Sequence, residues 1–161
     1  DINLFAYHLP LDAHPELGNN AQLAARLGLR AHGRFGDQEL GWLGERADGS
    51  AFADAQALRG HVEQALGRQA VLVAAPGPIT RIGWCTGGAQ GYFEAAIAAG
   101  AQAYITGEIS EPQAHYAREC GASFLACGHH ASERYGAPAV AEAVARALGL
   151  EHRFIDIDNP A

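Results

Sequence analysis

The chain has 161 residues, including 34 Ala, 20 Gly and 11 Arg but neither Lys nor Met, a length that fits one domain of ordinary size. Eighteen acidic residues give a formal charge of −7, which argues against a nucleic-acid partner, because phosphate binding needs a cationic excess. No apolar run approaches the roughly 20 residues that span a bilayer, and Cys85, Cys120 and Cys127 lack a CxxC spacing, which points to a reducing, cytoplasmic setting.

In chain order, residues 2–8 (INLFAYH) read as a buried strand that starts at once. Asn19 or Asn20 offers an N-cap for a helix over 21–27, stopped by Gly28. The stretch 30–49 is polar and glycine-rich, the one plausible linker, with a short strand around 40–43. Residues 50–66 predict an amphipathic helix with Leu58, Val62 and Leu66 on one face. Two short strands follow, 71–75 and 81–85, separated by Pro76-Gly77-Pro78.

From there the alternation is regular. Helix 91–99 ends at Gly100 and strand 103–106 follows. Ser110 and Gln113 have the spacing of a capping box for a helix that Gly121 ends. Strand 123–127, helix 138–148 and a last strand over 152–157 complete the chain. This pattern, strongest from 81 to 157, predicts an α/β domain over 1–161 with a mainly parallel sheet.

Four segments just past predicted strands carry candidate chemistry. In Gly128-His129-His130-Ala131-Ser132-Glu133, one helical turn puts His129 and Glu133 on the same face. Imidazole and carboxylate together suit a divalent metal, although a capped turn with a plain His–Glu hydrogen bond has the same spacing. The segment 7–14 holds His8, Asp12 and His14 and can be a site or a solvated turn. Glu108, in Thr106-Gly107-Glu108, can act as a general acid or base, back a ligating histidine, or simply favour a helix N-terminus. Thr86-Gly87-Gly88-Ala89-Gln90-Gly91 could admit a phosphate, but it matches no nucleotide fingerprint and close helix–strand packing explains it better.

Parallel strands would bring Asp12, Glu108, His129 and Glu133 to one edge of the sheet, where ligands of open α/β folds bind. Three metal-competent side chains at one edge favour metal binding over the blander readings.

Taken together, YHLPLDAHPELGNN at 7–20, YITGEISEPQAHYAREC at 104–120, GHHASERYG at 128–136 and DIDNP at 156–160 resemble the Nif-three-like family, the GTP cyclohydrolase 1 type 2 homologues. The resemblance implies a three-layer α/β fold with a dinuclear metal centre (two divalent ions, Zn, Mn or Fe), assembled as a ring-shaped hexamer. It makes Asp12, His129 and Glu133 metal ligands and puts Glu108 and His8 near the site, as proton-transfer candidates. Family members carry a preceding segment with an adjacent His pair. Its absence here leads us to expect a C-terminal portion and puts a paired-metal site in question.

Two function classes follow. In the first, the protein is a metal-dependent hydrolase whose activated water attacks a small, nucleotide-like substrate. In the second, the same residues bind metal in a non-catalytic chaperone or scaffold.

Overall fold

A computed structural model describes residues 1–161. Its elements in chain order are α1 (Leu9–Ala13), α2 (Asn19–Arg26), β1 (Leu29–Phe35), β2 (Gly41–Arg46), α3 (Ala55–Leu66), β3 (Val71–Val73), β4 (Ile82–Trp84), α4 (Phe93–Ala98), β5 (Ala103–Thr106), α5 (Glu111–Cys120), β6 (Ser123–Ala126), α6 (His129–Ser132) and α7 (Gly136–Leu148). No helix is long and apolar enough to cross a membrane.

The strands form one sheet in the order β1-β2-β4-β5-β6-β3. The α/β class holds, but the sheet is mixed rather than mainly parallel. Only β4–β5 and β5–β6 pair in parallel, while β1–β2, β2–β4 and β3–β6 are antiparallel. The short turn between β1 and β2 allows only a hairpin, because a parallel pair needs a crossover of a dozen residues or more.

Alternate residues of the central strands feed two cores. Ile82, Trp84, Ala103, Ile105 and Leu125 join Leu23 of α2, its C-cap Leu27, and Leu58 and Val62 of α3. On the opposite face Tyr104 and Phe124 meet Phe93 and Ala96 of α4 and Ala117 of α5. Phe93 and Phe124 contact edge to face at 4.9 Å between centroids, a preferred aromatic geometry. Helices on both faces explain why β4, β5 and β6 are buried along their whole length.

Several expectations need correction. Residues 30–49 are no linker: they form the β1–β2 hairpin. Strand β1 hides its character behind Arg30, His32 and Arg34, and a bulge between Ala31 and Gly33 breaks its alternation. The Arg34 guanidinium carbon sits over the Trp42 ring, 3.6 Å from its centroid, covering apolar surface with a charged side chain.

Neither terminal segment is a strand. Residues 2–8 run exposed, with Ile2 and Leu4 more than 90% accessible, and 152–157 are exposed too. A strand persists only when its backbone pairs with a neighbour, and neither segment pairs with any strand of the sheet. The N-cap of α2 is Gly18 rather than Asn19 or Asn20, which have other tasks. The capping box of Ser110 and Gln113 forms as expected, and Gly121 closes α5 in the left-handed conformation.

Candidate metal centre at the sheet edge

Three parallel strands end side by side, and their following loops are stitched together by backbone. Gly107 N–H donates to Gly87 O, and Gly128 N–H donates to Gly107 O, both at 2.9 Å. Ser132, fully buried, accepts from Gly87 N–H and donates to His129 O, each at 3.0 Å. It thereby clamps α6 against the loop after β4. These bonds fix where His129 and Glu133 start.

The glycines in these loops make the approach possible. A Cβ on Gly107 would lie 2.6 Å from both Gly87 O and the His129 Cα, closer than real contacts allow. On Gly87, with φ +71°, it would meet the Glu133 carboxylate at 2.6 Å, and on Gly88 the Glu108 carboxylate at 3.3 Å. The glycine pair after β4 therefore makes room for the site's carboxylates. This is a more specific role than the helix–strand packing its sequence suggested.

Asp12 sits in α1 and is buried. Asn19 Nδ2 donates to Asp12 Oδ1 at 2.8 Å, while Asn19 Oδ1 accepts from Gly136 N–H at 2.7 Å. The neighbouring Asn20, wholly buried, donates to Asp12 O and Leu40 O and accepts from Thr86 N–H. The two asparagines thus hold α1 against the sheet edge. Sequence reasoning read them as helix caps and missed this role. The only signal was an Asn pair seven and eight residues past Asp12.

Asp12, His129 and Glu133 line one cavity of about 280 Å³, with His8, Leu40, Cys85, Thr86 and Tyr92 among its other walls. His129 lies between two carboxylates: Nδ1 is 2.5 Å from Glu108 Oε1 and Nε2 is 2.7 Å from Glu133 Oε2. Glu108 on Nδ1 raises the His129 pKa above its ordinary value, and Glu133 adds to this. Burial raises the Glu133 carboxyl, and the nearby charge of Asp12 raises it further.

The structure therefore brings together Asp12, Glu108, His129, Glu133 and His8. It leaves out His14, whose Nδ1 accepts from the backbone N–H groups of Glu16 and Leu17. The arrangement is not a closed metal cage, and no cluster of three or more His, Cys, Asp or Glu side chains is gathered tightly enough to hold an ion. The donor chemistry nevertheless fits a divalent cation. Two crowded carboxylates and one imidazole face the same space, and Glu108 fixes the far ring nitrogen as a metal-backing carboxylate does. Thr86 Oγ1, buried on the wall of the cavity, has no hydrogen-bond partner.

A family model for Duf34/NIF3 (NGG1p interacting factor 3) matches residues 1–160. The "GTP cyclohydrolase 1 type 2 homolog" of Pseudomonas aeruginosa is 52% identical over all of this chain, and that of Neisseria meningitidis serogroup A is 51% identical. In both, the chain covers 64% of the relative's length. Among solved structures, protein ybgI, described as of unknown function, superposes with a TM-score of 0.92 at 45% identity, over 100% of this chain and 64% of that one. TTHA1606 from Thermus thermophilus gives a TM-score of 0.84 at 27% identity, over 99% and 63%. This coverage supports a partial chain, not the narrower expectation of a C-terminal portion.

Proposed function

The chain belongs to the Duf34/NIF3 family, and from that premise we propose that its sheet-edge cavity is the metal site of a hydrolase acting on a small, nucleotide-like substrate. The observation that carries this reading is the convergence of Asp12, His129 and Glu133 on one cavity, with Glu108 behind His129. The name of the relatives, GTP cyclohydrolase 1 type 2 homolog, supports a purine nucleotide as the first substrate to try.

Asp12, His129 and Glu133 would hold the cation, an N/O donor set that suits Zn, Mn or Fe. When bound, the cation supplies Lewis acidity and lowers the pKa of water toward about 7. Glu108 Oε1 lies 2.5 Å from His129 Nδ1 and, accepting its proton, would leave Nε2 free to hold a cation. Nε2 faces Glu133 Oε2 at 2.7 Å. Glu108, or His8 on the cavity wall, would take up or return a proton.

The test is elemental analysis and turnover on one preparation. The protein, stripped with chelator and reloaded with Zn²⁺ or Mn²⁺, should retain metal, and His129→Ala or Glu133→Ala should abolish retention. Unchanged metal content in both variants would overturn the site. With metal retained, GTP is offered and ring-opened product sought. Retention without hydrolysis would replace the hydrolase by a non-catalytic metal-binding protein.

A further inference from the structure

A second cavity, of about 540 Å³, adjoins the candidate metal site on the far side of α6. Its walls combine Leu66, Gly67, Arg68, His130, Ala131 and Arg134 with residues from 156–160. A smaller cavity, lined by Glu108, His129, His130, Glu133, Asn159 and Ala161, shares walls with both. A molecule lying across both would therefore reach from the two arginines to His129.

The wall contributed by the folded body is cationic and incompletely matched. Arg68 lies over the backbone of Gly128, where φ is +95° and a Cβ would fall 2.7 Å from the guanidinium. The residue before His129 is thus shaped to admit an arginine. Yet Arg68 has no acidic side chain as partner: it donates only to main-chain oxygens, Ala161 O at 2.6 Å and Pro160 O at 2.5 Å. His130 Nε2 is buried without any hydrogen-bond partner. Arg134 pairs with Asp156 and packs over Phe154.

Every acidic side chain in this cavity, Asp156 and Asp158, arrives with the segment 151–161. That segment is exposed throughout. Its hydrogen bonds to the body are those to Arg68 and Arg134. The planar fork of an arginine suits the oxygens of a phosphate, which can accept two parallel hydrogen bonds.

We propose that Arg68, His130 and Arg134 form a binding site for the phosphate of a phosphate-ester substrate whose reacting part lies at Asp12, His129 and Glu133, and that the segment 156–161 occupies this site in its absence. The orientation of the substrate rests on the function proposed above, whereas the phosphate site stands on its own residues. Asp156 Oδ1, Pro160 O and Ala161 O take the places of phosphate oxygens, so ligand and segment compete.

The test measures binding of inorganic phosphate and of guanosine 5′-monophosphate by calorimetry, with the whole chain in chelator. Arg68→Ala and Arg134→Ala should each weaken both ligands by about tenfold, the scale of one lost charge-assisted pair. Asp156→Asn should tighten both by about threefold, because it frees Arg134. Chelator removes any cation, so the affinity for inorganic phosphate is read independently of the metal site. The ester should bind more tightly than inorganic phosphate. Arginine variants that bind as the parent does, with folding confirmed by circular dichroism, would overturn the site. An unchanged Asp156→Asn would overturn the competition, and equal affinity for the two ligands would overturn the shared substrate.

Discussion

A β-carbon placed on Gly87 would lie 2.6 Å from Oε2 of Glu133. The glycine and the carboxylate are therefore one device: the site's acid occupies the volume that any other residue at 87 would claim. Gly87→Ala should cost about 1–3 kcal/mol, since φ there is +71° and the space is filled. Urea denaturation measures this, and Gly91→Ala, where nothing lies within 4 Å, is the control expected to stay within about 0.5 kcal/mol.

Asn20→Ala should be among the more damaging single changes. It strands the Thr86 N–H and removes the bonds to Asp12 O and Leu40 O in a fully buried place. The expected loss is about 2–4 kcal/mol. A loss below about 0.5 kcal/mol in denaturant would show that α1 is held by packing instead.

The histidine between two carboxylates gives a signed pH dependence. Glu108, and then Glu133, hold His129 above its ordinary value of 6.5. A raised folded pKa contributes stability that is fully present below 6.5 and fades as pH climbs through the raised value. Glu133, raised by burial and by Asp12, acts in the same direction, because its ionised form is the one the fold disfavours. In chelator, the Tm advantage of the parent over His129→Gln should shrink between acid and alkaline buffer. A constant difference would remove the ion pair from the account.

Thiol chemistry should distinguish the three cysteines. Burial pushes Cys85 and Cys127 up to about 12, while Cys120 is exposed. Near pH 8, a thiol-reactive dye should label one cysteine quickly in the folded protein and all three after denaturation. Rapid labelling of Cys85 would mean that the cavity it lines opens widely.

Much of this arrangement is legible in the sequence, for local reasons. Ser110 and Gln113 announce α5 because a capping box is complete within four residues, and the strands expected to end at 106 and 127 locate Glu108 and His129. The hairpin over 29–46 escapes notice because its stabilising partners are across the sheet. Arg34 becomes a strand residue only once Trp42 lies beneath it. Residues 2–8 mislead in the opposite direction: an apolar run has strand character, but pairing depends on a neighbour that local pattern cannot supply. The holders of Asp12 are hidden for a similar reason, since Asn19 answers to Gly136, 117 positions away.

The antiparallel placement of β2 against β4 has a consequence for how such a pocket can diverge. Trp42 pairs with Trp84 and Gly44 with Ile82, so β2 begins where β4 finishes. The hairpin bend just before it therefore overhangs the cavity, with Leu40 in its wall and Asp37 O accepting from the Tyr92 hydroxyl. Insertions in that bend would reshape the doorway while Asp12, His129 and Glu133 stay anchored on other elements. Selectivity could then evolve separately from the chemistry, because surface bends tolerate changes in length that packed strands do not.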